Sequence, residues 1–217
     1  MALIGNLRHR PTRRLTQLFL GLLLYGFSMA LMIRSELGLN PWDVFHQGLS
    51  QLTGLSMGTV VIAVGFLVLL AWIPLRQRPG LGTLANVVVV GLAVDATLAL
   101  MPPVESLAVR GALLVAGIVG NGAATALYLG ARLGPGPRDG LMTGLVARRP
   151  GWSLRLVRTV LEVGVLAVGA LLGGTVGAGT IAYALAIGPL AQLFLPWFDV
   201  PAPARPEPGR IEPTPAG

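Results

Sequence analysis

The sequence predicts an all-α polytopic membrane protein. Six transmembrane helices form two inverted three-helix repeats, with short amphipathic or re-entrant segments after the first and fourth spans. Three observations carry that prediction. Apolar residues make up 53% of the 217-residue chain and charged residues only 12%, about half the charged share that covers a water-soluble domain. The apolar residues gather into six runs, each long enough to cross a bilayer. The first half of the chain is echoed by the second, motif for motif and in the same order.

The first run, 15–33, follows Arg8, Arg10, Arg13 and Arg14. It is too long for the core of a cleaved signal peptide and is read as a retained helix. The remaining runs cover 57–73, 83–101, 108–130, 156–172 and 179–195. The second and fifth are short, and reach across if flanking arginines extend toward the headgroups. Orientation follows from the arginines, which supply all 16 basic residues of the chain. They sit at the N-terminus, at Arg76 and Arg78, in the connection holding Arg132, Arg138, Arg148, Arg149, Arg155 and Arg158, and in the tail at Arg205 and Arg210. Only Arg34 and Arg110 fall on the other side. Both termini are therefore expected in the cytoplasm. The chain divides into a basic N-terminus (1–14), a first repeat (15–104), a second repeat (105–198) and a proline- and alanine-rich tail (199–217) expected to be disordered.

Composition also excludes functions. The net charge of +7 invites nucleic acid, but these arginines mark the ends of apolar runs instead of clustering on a solvated face. With no cysteine there is no disulfide, thiol nucleophile or cysteine metal site. The two histidines, His9 and His46, lie near segment ends, so no metal site and no cofactor are expected. No His-Glu-x-x-His, no nucleotide loop and no Ser–His pair within a span is present, so no enzyme is expected.

The repeat is specific. Leu37, Gly38, Pro41 and Asp43 align with Leu133, Gly134, Pro137 and Asp139 at an offset of 96, as Gly21, Gly26 and Ala30 do with Gly117, Gly122 and Ala126. One inserted residue later, Gly80, Gly82 and Thr83 align with Gly177, Gly179 and Thr180. A unit of three spans is odd, so its second copy enters the membrane from the opposite side.

Candidate functional residues follow from this frame. Pro41 and Pro137 end a helix, and Asp43 and Asp139 then either cap the next short helix or, with Arg138, line mirror-related gates. The Gly-x-Gly-Thr turns (Gly80, Gly82, Thr83; Gly177, Gly179, Thr180) offer helix N-termini to an anion. Asp95 and Glu162 are charges inside spans. Glu162 lies one helical turn from Arg158 and is expected to pair with it, whereas Asp95 has no partner nearby in sequence. Asn86 and Asn121, whose repeat counterparts are Tyr183 and Tyr25, read as helix-to-helix hydrogen bonders. Gly188 and Pro189 mark either a kink or a broken helix in the sixth span. Gly122, Ala126 and Gly130 form a small-residue stripe for close helix crossing.

The runs from Asn40 to Ser50, from Arg78 to Asn86 and from Leu133 to Leu141 resemble the YczE branch of the YitT/YyaS/YczE bacterial membrane proteins. Asn40 stands where that branch is expected to carry glycine. The resemblance covers about 15–195. It implies a multi-pass protein of the bacterial cytoplasmic membrane, and no reaction or substrate. Two functions remain open: a small-solute transporter built on the inverted repeat, or a non-transporting scaffold or accessory protein for secretion or an envelope complex. The inverted repeat and the paired loops place the first ahead, and scarcity of polar residues near any expected cavity supports the second as the alternative. Lipid is the expected surrounding, and oligomeric state is open.

Overall fold

The computed structural model describes residues 10–149 and 151–201. The tail beyond Pro201, His9 and Arg8 lie outside the described residues. Within them the chain is all helical: α1 (Pro11–Ser35), α2 (Pro41–Thr53), α3 (Met57–Leu75), α4 (Leu81–Leu100), α5 (Leu107–Gly130), α6 (Pro137–Arg148), α7 (Leu154–Leu171) and α8 (Ala178–Phe198). Five of these, α1, α3, α4, α5 and α8, are long and apolar enough to cross a membrane. The fifth expected span does form a helix, α7, but its 18 residues include Arg155, Arg158 and Glu162.

Local chemistry sets the helix ends. Proline opens α1, α2 and α6, where a missing N–H costs nothing. Ser56 and Ser153 cap α3 and α7 by accepting from Thr59 N–H and Leu156 N–H. α8 runs unbroken through Gly188 and Pro189, so the sixth span is not a broken helix.

Helices α1 and α5 cross at the centre, backbone against backbone. A Cβ on Gly21 would lie 2.8 Å from Tyr128 N, and one on Gly117 would lie 2.9 Å from Ser28 O. Leu18, Leu22, Met29 and Met32 of α1 are fully buried by this crossing and by the flanking helices α4 and α8. The stripe Gly122, Ala126, Gly130 serves a different neighbour: Gly122 receives Leu190 and Gly130 receives Phe198, both of α8. The outer faces of α7 and α8 expose Leu156, Val160, Val163, Ile181, Leu185 and Leu193, an apolar surface suited to lipid.

The motifs that repeat in sequence clasp one another in space. Gly82 N–H donates to Leu133 O at 2.9 Å, and Gly179 N–H donates to Leu37 O at 2.8 Å. Gly134 packs on Gly80 and Thr83 with φ +129°, and Gly38 packs on Gly177 and Thr180 with φ +119°. At both positions the left-handed backbone and the neighbouring atoms leave room for no side chain. Likewise α2 lies against α7, with Gly48 on Leu172, and α6 lies against α3, with Gly144 on Leu75. Each of these pairs is its partner pair moved by one repeat. Not every pairing repeats: α3 packs along α4 and α4 touches α6, whereas no comparable packing joins α7 to α8 or α8 to α2.

Candidate functional site

A cavity of about 550 Å³ opens where α2 and α6 begin, bordered by all of the described helices. From the first half it takes Tyr25, Asn40, Trp42, His46 and Asn86. From the second half it takes Tyr128, Arg138, Asp139, Arg158, Glu162, Tyr183 and Gly188. Arg158 and Glu162 come from α7, and Tyr183 and Gly188 from α8. All three tyrosines of the chain stand in its wall.

The two Pro-x-Asp segments meet here, but not as N-caps. Asn40 caps α2, its side chain accepting from Asp43 N–H at 3.0 Å, and Gly136 holds the cap position of α6. Asp43 and Asp139 are each the third residue of their helices, with carboxylates turned to other partners. Asp43 is fully buried. Its Oδ2 accepts from the Asn40 side-chain amide, and its Oδ1 lies 3.5 Å from Arg138 Nη2 and 3.5 Å from His46 Nδ1. Arg138 thus reaches across from the other half, and its guanidinium covers the Trp42 ring at 5.1 Å. Burial pushes the His46 imidazole below its usual pKa, outweighing the nearby carboxylate. Asp139 is exposed into the cavity, and its polar partner is Tyr128, whose hydroxyl donates to it at 3.3 Å.

Helix α6 is pinned in place by Trp72. The indole N–H donates to Pro137 O at 2.9 Å, and the ring lies flush against Gly140. Arg158 and Glu162 pair at 2.9 Å along α7, as their spacing predicts. Tyr183 donates to Asn121 Oδ1 at 2.9 Å, and Asn121 in turn donates to Ser28 at 3.2 Å. Asn121 and Tyr183 are the repeat counterparts of Tyr25 and Asn86, which face the same cavity. Four buried side-chain atoms among the described residues lack a hydrogen bond. Three of them, Trp42 Nε1, Asp43 Oδ1 and His46 Nδ1, cluster here, where such atoms are rare in a finished core.

Other expected site residues have different duties. Asp95 is not in the cavity: it accepts from Ser56 Oγ at 2.5 Å and from Gly58 N–H at 2.7 Å, tying α4 to the start of α3. Sequence proximity hid this partner, which lies 37 residues away. In the Gly-x-Gly-Thr turns, Gly82 and Gly179 spend their N–H groups on the facing loops. Thr83 Oγ1 accepts from Gly80 N–H at 3.1 Å and donates to Pro135 O at 2.7 Å, and Thr180 Oγ1 accepts from Gly177 N–H at 3.3 Å. These turns join the halves. Of the Gly188–Pro189 pair, Gly188 lines the cavity, and a Cβ there would meet nothing within 4 Å.

Residues missed in sequence close the other end of the bundle. Arg14, counted among the orientation charges, is buried and donates to Ala131 O at 2.9 Å, Val200 O at 3.4 Å and Pro201 O at 2.9 Å. Arg132 grips Asp199 with two bonds of 2.7 and 2.8 Å, which holds the Arg132 pKa above its ordinary value. The first residues of the expected tail are therefore docked.

Comparison with known proteins agrees with this picture of a membrane protein. Residues 12–196 match a family described as a family of unknown function, DUF6198. An uncharacterized protein of Haemophilus influenzae is 39% identical over 178 residues, covering 82% of this chain and 81% of the relative. The uncharacterized membrane protein YczE of Bacillus subtilis is 34% identical over 187 residues, covering 84% of this chain and 86% of the relative. No solved structure matches. The chain belongs to the family of unknown function DUF6198, and the YczE-type resemblance carried by its paired Pro-x-Asp loops holds.

Proposed function

We propose that the chain is a carrier for a small solute in the bacterial cytoplasmic membrane. In this reading six spans form two inverted three-helix repeats, both termini are cytoplasmic, and the cavity is the solute site. The observation that carries the reading is the cavity itself. Its polar wall is built by the tips of two short helices, one from each half, and its volume falls in the range of small-molecule sites. Irregular backbone and charge inside a membrane bundle are tolerated where they line such a space. Twofold exchange of the glycine clasps supports the inverted repeat, and the separation of α7 from α8 supports a bundle caught with one flank open. The scaffold alternative rested on a shortage of polar groups around any cavity, and the observed wall removes that support. The reading is non-enzymatic: Asp43 is committed to Arg138 and Asn40, and Glu162 to Arg158.

The test uses the cysteine-free natural chain. Gly188→Cys places one thiol in the cavity at a position with room for it. A carrier that alternates its access exposes this thiol to a membrane-impermeant reagent from the outside of right-side-out vesicles and from the cytoplasmic face of inverted ones. Labelling from one face only would defeat the carrier reading.

A further inference from the structure

The charges around the cavity do not balance, and the imbalance points to the chemistry of its ligand. Two guanidinium groups, Arg138 and Arg158, are matched by two carboxylates, Asp43 at 3.5 Å and Glu162 at 2.9 Å. Burial disfavours a further cation at His46. Asp139 remains. It faces the cavity, no ion pair within 4.0 Å engages it among the described residues, and a single neutral hydroxyl, that of Tyr128, donates to it. Its repeat counterpart Asp43 is buried against Arg138, while Asp139 has no such cation because position 42, the counterpart of 138, is tryptophan. Asp139 therefore offers the cavity an accessible carboxylate that no ion pair occupies, a ready counter-charge for a cationic ligand.

The rest of the wall says what kind of cation. Tyr25, Tyr128 and Tyr183 line the same cavity as Asp139, Tyr128 touching it directly, and Val64 and Val90 supply apolar area. A small metal ion needs several oxygen ligands close together. Tyrosine rings beside the one cavity carboxylate that no ion pair occupies instead match an organic ammonium group, held by the carboxylate and by ring faces, with its carbon body against the valines. We infer that the cavity binds a small organic ammonium ion carrying one net positive charge, with Asp139 as its counter-ion and the tyrosines as its walls. This rests on the carrier reading only for the cavity being a solute site; binding itself does not require transport.

Purified protein in nanodiscs, titrated by calorimetry, tests the inference with isosteric probes. n-Butylammonium and choline bind saturably, whereas n-butanol and n-butyrate do not. Asp139→Asn weakens ammonium binding about tenfold or more, because it removes the charge and keeps the shape. Tyr128→Phe, which removes the one donor holding Asp139, changes affinity by about threefold. Thermal unfolding identifies any variant that fails to fold, in which case the wild-type preference among the four probes decides. Absence of ammonium binding, preference for butyrate, or unaltered binding in a folded Asp139→Asn protein overturns the inference. The two readings fail separately. Labelling of Gly188→Cys from both faces without ammonium binding removes the ligand class and leaves the carrier. Ammonium binding with labelling from one face removes the carrier and leaves the cation site.

Discussion

At the scale of the residue, the most consequential contact is Asp43 with Arg138. A fully buried carboxylate is tolerated because a guanidinium from the other half of the chain faces it, with the Asn40 amide on its second oxygen. Arg138→Met keeps the length and apolar stem of the side chain and removes the charge. The uncompensated carboxylate then costs about 3 kcal/mol, read as a lowered thermal midpoint in detergent. Asp43→Asn in the same chain restores most of the loss, because the charge left alone is gone. Sequence reading reached Asp43 and Asp139 through the Pro-x-Asp spacing and left helix capping and cavity-lining gates open; the cap of α2 is Asn40. Two adjacent charges in a sequence, Arg138 and Asp139, do not announce that one of them belongs to a carboxylate 95 positions earlier.

At the scale of the element, the halves are joined by loops seated on helix starts. Gly134 and Gly38 carry positive φ and touch backbone and threonine atoms of the facing turn. Gly134→Ala forces a Cβ to within 2.8 Å of Thr83 Oγ1, in a conformation that disfavours any side chain by about 1 kcal/mol before the clash. Gly188→Ala meets open space inside an unbroken helix. Thermal unfolding therefore separates the two: a clear loss for Gly134→Ala and Gly38→Ala, and no loss for Gly188→Ala. The helices were legible because apolar runs, opening prolines and serine caps are local signals. The seating of one motif on the other was not, because a Gly-x-Gly turn looks the same whether its N–H groups meet a ligand or a carbonyl of the same chain. The charges of α7 illustrate the same limit: its ion pair was legible from a four-residue spacing, while its standing apart from α8 depends on partners distant in sequence.

At the scale of the whole molecule, the repeat makes a geometric demand. On the inverted reading, Thr53 at the end of α2 and Arg149 after α6 are equivalent positions on opposite sides of the membrane, and both are exposed. Thr53→Cys is labelled by an impermeant thiol reagent in intact cells, and Arg149→Cys only after permeabilisation. Labelling of both from one side would break the inverted repeat. The cavity was the least legible feature, because its wall is assembled from single residues on every helix. The sequence did hold one clue: Tyr25 aligns with Asn121 and Asn86 with Tyr183, so polar positions recur at equivalent places in both halves even though their identities exchange.

The grip of Arg14 on Val200 and Pro201 spans 186 residues and more. A ribosome delivers Arg14 long before Val200 and Pro201, so this guanidinium enters the bundle before two of the groups that will receive it exist. Assembly therefore closes the end of α8 back onto the root of α1. A chain halted after Phe198 would keep α1 to α8 and the bond from Arg14 to Ala131 O, and still lack the closing stitch.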